Sequence, residues 1–382
     1  MIFRSRSDYT NWVFRTFIRP SCAFWNSLLP GGSEVYSFKA VSDHCSSVPL
    51  VASFGTGVAG CLQIAFKHAR RLQRAPVWLA ASRAEREALS VILENAEVAV
   101  VPYPMDHKYL KSVRSSIGTP NWQKAKRRFF AEHKLDPSLP TFYFSGRITP
   151  SKGVGDFISA VNRQRFKVQL VLAGMRERQG FQRDRDQLLY DQIRSSRFCR
   201  TIVLGAVSRV QNYRYITFAD STVALSTDAT EDFGFLPRQS LALGTPSIIT
   251  NWGGLKDIRL PAVFDRKFIY RSKVKMKSDG QFYADLLKFR LDRYVTQIRV
   301  LTKEDRKRVA EWVLKENQVE MRRGLAKAVK LQRSLLGKPS GHGNAKVRFS
   351  ALSRRIVMNC LESGQQNAAL HFPHDVQFRL MT

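Results

Sequence analysis

Arg147 and Lys152 stand five residues apart in SGRITPSKG, directly after the apolar, strand-like run at residues 141–146 that ends in Gly146. A guanidinium that grips two phosphate oxygens at once, an ammonium shortly after it and the N-terminus of a following helix would together neutralise a diphosphate. An exposed turn with two surface cations is the alternative. A second stretch, LSTDATEDFGFLPRQSLALGTPSIITNWGGLKD at 225–257, reads as a strand end, an acidic turn, a short glycine-containing loop, a helix, a buried strand and a Gly-Gly turn. Loops between the C-terminal end of a parallel strand and a helix N-terminus gather backbone N–H groups and bind phosphates and sugars. Glu231 precedes Phe233 and Gly234 there. A carboxylate at that place accepts hydrogen bonds from substrate hydroxyls, and the glycine lets a sugar or phosphate approach the backbone. Asp228, Thr230 and Glu231 acting only as caps of the helix is the simpler reading.

The elements needed to bring these two stretches together are legible as a rhythm. Strand-like runs at 141–146, 168–174, 201–207, 221–226 and 246–250 alternate with helical stretches, which implies a doubly wound parallel sheet covered on both faces. Helices expected at 303–316 and 319–336 close this half. In the first half, strands are expected at 76–82 and 98–103 with a helix from Arg83 to about Glu94 between them. VPLVASFGTGVAG carries Gly55, Gly57 and Gly60 at dinucleotide-fingerprint spacing, but the next strand ends without the acid that would hold a ribose, so a strand-to-helix turn is the favoured reading. Residues 107–140, with KAKRR at 124–128, read as a solvated linker-helix or as a face toward an anionic partner. The expected division is 1–135, 136–336 and a C-terminal extension, 337–382.

Composition narrows the classes. The 382 residues are 44% hydrophobic, enough for two cores, and the five cysteines form no C-x-x-C pair, so free thiols in a reducing compartment are expected. The charge is extreme: 62 Lys and Arg against 31 Asp and Glu, net +31. Such a field attracts nucleic acid, anionic lipid or acidic substrates. No apolar run reaches the roughly 18 residues of a membrane span, and arginines interrupt the N-terminal apolar stretch, so a cytoplasmic location is expected. In residues 1–30, arginines alternate with Phe3, Trp12, Phe14, Phe17, Phe24 and Trp25. This suits either the core face of a first helix or a segment lying in a membrane interface.

Taken in order, S-G-R-(x4)-K-G, L-A-G, L-G-x-V, A-D-(x4)-L-S, E-D-F-G-(x4)-Q-(x4)-G-T-P and N-W-G-G-L-K-D resemble the donor domain of retaining GT-B glycosyltransferases. These are the group 1, family 4-like enzymes related to sucrose and glycogen synthases. The resemblance covers about residues 140–260. It implies an α/β fold of two Rossmann-like domains, with an atypically short N-terminal acceptor domain in which Phe54 stands where the family often has His. It implies that Arg147 and Lys152 hold the donor diphosphate and that Glu231 touches the transferred sugar. Gly146 and the backbone N–H groups of Phe233, Gly234 and Phe235 would line the donor, and Val207 would wall the base. Gln239 occupies the place of the acid that holds the nucleotide ribose; a neutral amide still hydrogen-bonds hydroxyls but accepts less strongly.

The implied activity is hexosyl transfer with retention from a nucleoside-diphosphate sugar to an anionic, cell-envelope or glycolipid acceptor, at the inner membrane face. No D-x-D-like pair lies near the phosphate motif, so neither a metal nor a cofactor beyond the co-substrate is expected. Two rivals stay open: a non-catalytic sugar-nucleotide-binding or scaffold subunit, and a basic nucleic-acid-binding protein.

Overall fold

The computed structural model describes residues 24–26, 50–52, 77–94, 97–175, 183–228, 231–336 and 348–349. The residues before Phe24, Phe54, the glycines at 55, 57 and 60, Thr230 and nearly all of the tail beyond Leu336 lie outside them. Two compact units result. Among the described residues, the first comprises those up to Pro104, those at 231–233 and those from Asn317 onward; the second comprises those from Met105 to Asp228 and from Gly234 to Glu316. The second unit thus begins about thirty residues before the expected boundary, and the chain returns to the first unit twice.

The first unit contains β1 (Phe24–Asn26), β2 (Leu50–Ala52), β3 (Val77–Ala80), α1 (Arg83–Ile92), β4 (Leu93–Glu94) and β5 (Glu97–Val100). Its parallel sheet has the order β1-β2-β3-β5. Phe24 and Trp25 are therefore strand residues, not part of a first helix. Ser82 and Glu85 start α1: Ser82 Oγ accepts from the Glu85 N–H at 3.1 Å, and Glu85 Oε2 accepts from the Ala81 N–H at 2.6 Å. Val77, Leu79, Ala99, Val101 and Tyr103 pack with Phe233 and with Met321, Leu325 and Ala328 of the closing helix.

The second unit begins with α2 (His107–Ser116) and α3 (Pro120–Glu132). These are the residues whose charge suggested a linker. Phe129 and Phe130 are buried in the unit's core, and Lys126 lies over the rings of Trp122 and Phe130 at 5.5 and 5.3 Å. The basic residues conceal an amphipathic helix, with lysine stems covering aromatic surface. Then follow β6 (Thr141–Ser145), α4 (Val154–Gln164), β7 (Val168–Ala173), α5 (Arg183–Ser195), β8 (Cys199–Gly205), α6 (Arg209–Phe218), β9 (Ser221–Ala224), α7 (Phe235–Ala242), β10 (Ser247–Thr250), α8 (Ala262–Phe268), β11 (Ile269–Met276), β12 (Phe282–Asp285), α9 (Leu291–Arg299) and α10 (Lys303–Leu336), whose residues from Asn317 onward belong to the first unit. The two helices expected at 303–336 are one, since neither Asn317 nor Gln318 breaks the ladder. A short strand, β13 (Arg348–Phe349), pairs with β4 in the first unit.

Seven strands of the second unit form a sheet in the order β12-β11-β10-β9-β6-β7-β8, parallel except for β12. Strand side chains alternate between two cores: Tyr143 and Val171 on one face, Phe142, Phe144, Leu170 and Leu172 on the other. The chain winds outward from β6 to β8, then returns beside β6 and winds the other way from β9. The strand order therefore reverses between β6 and β9, the position at which doubly wound sheets open a ligand crevice beyond their strand C-termini.

One buried acid ties α4 to this sheet. Asp156 Oδ2 accepts from the Ala284 N–H of β12 at 2.8 Å, and burial pushes its carboxyl from an ordinary 3.8 up to about 6. The folded state then holds a proton that the unfolded chain releases, so stability from this group is full below pH 3.8 and is lost as pH rises through about 6. Asp156→Asn is expected to flatten that loss. Thermal unfolding of both proteins from pH 4 to 7 checks it: the variant's Tm should gain on the parent's by a few degrees across the window. A constant difference would refute the assignment.

Cys199 is a buried free thiol whose pKa burial pushes up to about 12; the other cysteines lie outside the described residues. Among the described residues no helix is long and apolar enough to cross a membrane.

Candidate functional site

The C-terminal ends of β6 and β9 meet at the reversal point, and the two sequence-predicted cations stand there. After β6 the chain passes Gly146 and Arg147 into a 3₁₀ turn, Pro150–Lys152, and then into α4. Gly153 joins turn to helix with φ 71°, and a Cβ on it would lie 2.2 Å from the Leu225 carbonyl oxygen. Only glycine lets this turn press against the end of β9. The Thr227 N–H donates to the Ser151 carbonyl at 2.7 Å, which fixes the register between the two loops.

The turn delivers Arg147 and Lys152 to one oxygen. Arg147 Nη2 lies 3.0 Å and Lys152 Nζ 3.4 Å from Asp228 Oδ2. Lys152 also donates to Ser226 Oγ at 3.2 Å, and Ser151 Oγ donates to the same Asp228 oxygen at 3.4 Å. The β9 loop is held from beneath. Trp252, fully buried, donates its indole N–H to the Asp228 carbonyl at 2.9 Å, and Thr250 Oγ1 donates to the Ser226 carbonyl at 2.6 Å. Two cations converging on one small anion at a strand-order reversal have the chemistry to bind a diphosphate and to stabilise charge that develops on it.

The sequence offered Asp228, with Thr230 and Glu231, as a cap of the following helix as one of two alternatives. Instead, α7 is N-capped by Gly234 (φ 77°) without a side-chain cap, and Asp228 is the counter-ion of Arg147 and Lys152. Nothing local in the sequence signals this pairing. The partners are 81 residues apart and meet only because β9 returns beside β6. Ser226 and Trp252 were likewise not singled out.

Gln239, half-buried on α7, joins a second polar chain. Asn212 Nδ2 donates to Gln239 Oε1 at 3.4 Å, Gln239 Nε2 donates to the Tyr213 hydroxyl at 3.4 Å, and the Tyr143 hydroxyl donates to Asn212 Oδ1 at 2.7 Å. Burial pushes the Tyr213 hydroxyl up to about 12, so it stays neutral. Val207, partly buried against the core, lies two residues beyond β8, where Ser208 and Gln211 form a reciprocal capping box that starts α6. Phe235 opens α7 with its side chain exposed. Glu231 and Phe233 belong to the first unit, where Phe233 is fully buried and meets Tyr103 edge-on at 5.2 Å, while Glu231 is half-exposed. Among the described residues no group of three or more His, Cys, Asp or Glu gathers as metal ligands would.

Residues 125–277, from α3 to the end of β11, match the family described as glycosyl transferases group 1. The matched stretch, less than half of the chain, contains both cations, Asp228 and Gln239. Alpha-maltose-1-phosphate synthase of Mycobacterium tuberculosis (strain CDC 1551 / Oshkosh) is 27% identical over 177 residues, which are 45% of this chain and 44% of that protein. The match thus spans less than half of the curated relative. The structure of Anabaena Alr3699/HepE in complex with UDP and glucose is similar with a TM-score of 0.52 at 14% identity, over 86% of this chain and 81% of that one. A glycosyltransferase from Rickettsia africae ESF-5 is similar with a TM-score of 0.55 at 10% identity, over 89% and 85% of the two chains. At such identities the likeness is one of fold: the Rossmann-like α/β architecture of GT-B glycosyltransferases.

Proposed function

We infer that this protein moves a hexosyl group, with retained anomeric configuration and without a metal ion, from a nucleoside-diphosphate sugar to a hydroxyl of an anionic acceptor of the cell-envelope or glycolipid type. The observation that carries this reading is the convergence of Arg147 and Lys152 on a single oxygen at the strand-order reversal of the matched stretch. Support comes from HepE, whose structure is described as a complex with UDP and glucose, and from starch synthase IV of Arabidopsis thaliana, described as bound to ADP and acarbose.

In the reaction, the bond between the anomeric carbon and the diphosphate breaks while the acceptor oxygen bonds to that carbon on the same face and passes its proton to the departing diphosphate oxygen. Negative charge grows on the departing diphosphate, where Arg147 and Lys152 counter it. Glu231 orients the sugar hydroxyls, and Gln239 meets the ribose. Val207 walls the base, and the backbone at Gly146, Phe233, Gly234 and Phe235 completes the donor's surroundings. The net charge of +31 steers a negatively charged acceptor and favours the anionic inner face of a membrane.

A thermal-shift panel of nucleoside-diphosphate sugars tests the donor, because a ligand that binds only the folded state raises Tm with its affinity. At least one is expected to raise Tm and to be consumed when acceptor glycolipid is supplied in anionic vesicles. No shift with any donor would sink the reading. Donor binding without transfer would favour a sugar-nucleotide-binding subunit, to which the neutral Gln239 also points. Retention on RNA without donor binding would favour the nucleic-acid alternative.

A further inference from the structure

Asp228 occupies the place of an anion. Its Oδ2 takes Arg147 at 3.0 Å, Lys152 at 3.4 Å and the Ser151 hydroxyl at 3.4 Å. Its backbone is anchored on both sides, the carbonyl by the Trp252 indole at 2.9 Å and the N–H by Ser226 Oγ at 3.3 Å. The Asp228 and Lys152 side chains are 13% and 16% exposed, against 50% for Arg147. A carboxylate presents two oxygens and one negative charge, much as one edge of a phosphate does, and it engages the same donors.

Resting on the donor-site reading above, the geometry points to Asp228 as a resident competitor: the protein's own carboxylate fills the diphosphate subsite until the donor displaces it. Donor binding is then an exchange, in which the diphosphate takes Arg147 and Lys152 from Asp228. The exchange has a consequence for selectivity. A diphosphate brings at least two negative charges and oxygens enough for both cations, so it outcompetes a single carboxylate. A singly charged anion offers nothing that Asp228 does not already supply from an anchored backbone, at far higher local concentration. The device keeps abundant small anions out of a strongly basic protein's donor site, and it keeps the empty site from holding two bare like charges together. Donor affinity is lowered in return.

Removing the competitor should tighten binding. Two half-screened ion pairs are worth enough together for about a fivefold to tenfold change in affinity. Calorimetric titration with inorganic pyrophosphate and inorganic phosphate, probes that carry neither base nor sugar, reads it directly. Asp228→Asn keeps the shape of the side chain and Asp228→Ser removes it, so the two guard against a folding defect in either, with Tm recorded for both. In the variants pyrophosphate should bind about fivefold to tenfold more tightly than in the parent, and phosphate should gain by at least as much. Unchanged or weaker pyrophosphate binding in a folded variant overturns the competitor role and leaves the donor reading standing. Absence of pyrophosphate binding in parent and variants alike overturns both.

Discussion

Lys152→Ala is expected to lower turnover of the donor sugar by roughly a hundredfold to a thousandfold, the cost of deleting one preorganised group that stabilises developing negative charge. Arg147→Ala should cost less. Both side chains reach the same oxygen, but Lys152 is 16% exposed and held by Ser226, whereas Arg147 is 50% exposed and more heavily screened by water and salt. Because diphosphate charge is greatest as the glycosidic bond breaks, the loss should fall on kcat more than on KM. Steady-state kinetics of the two single variants and the double variant check this, with circular dichroism confirming the fold. The double variant should lose less than the product of the two singles, as expected for groups that act on one oxygen. Undiminished turnover in Lys152→Ala would remove the diphosphate assignment.

Gly174→Ala should be the most destabilising single methyl addition in the second unit. Gly174 follows β7 and donates its N–H to the Gly205 carbonyl at 2.8 Å; a Cβ there would lie 1.7 Å from the Gly146 carbonyl oxygen. The obstacle is backbone, and it belongs to the strand that leads into Arg147, so no side-chain rotation relieves it. A penalty above about 4 kcal/mol follows, in the range reserved for gross steric conflict, with a fall in Tm on the order of 10 °C or failure to fold. Gly205→Ala is the control. Gly205 has φ 72° but an added Cβ would meet nothing within 4 Å, so it carries only the left-handed backbone cost of roughly 1–2 kcal/mol. Equal Tm values for the two variants would show that close approach of the strand ends does not matter.

The second unit of this protein is legible in its sequence because its information is local. Buried parallel strands read as short apolar runs, and five such runs foretold β6 to β10 within a few residues. β11 and β12 were not foreseen. IYRSKVKM and FYAD are partly polar, as strands near a sheet edge are, and hydropathy does not distinguish them from loops. Charge misled in the same way at α3, where KAKRR hid the buried pair Phe129 and Phe130.

Arg147 and Lys152 were recognisable from their chemistry and their place after a strand, since residue type and spacing suffice to suggest a phosphate grip. What they grip in the folded chain was not recognisable. Asp228 becomes their counter-ion only because the order of strands reverses, bringing the loop after β9 against the loop after β6 across 81 residues of sequence. The assignment of Glu231 and Phe233 to the first unit, between Asp228 and Gly234 of the second, was not recognisable in the sequence either. Periodicity and composition describe how each segment buries its own apolar face; which charges then become neighbours depends on the order in which the strands pair.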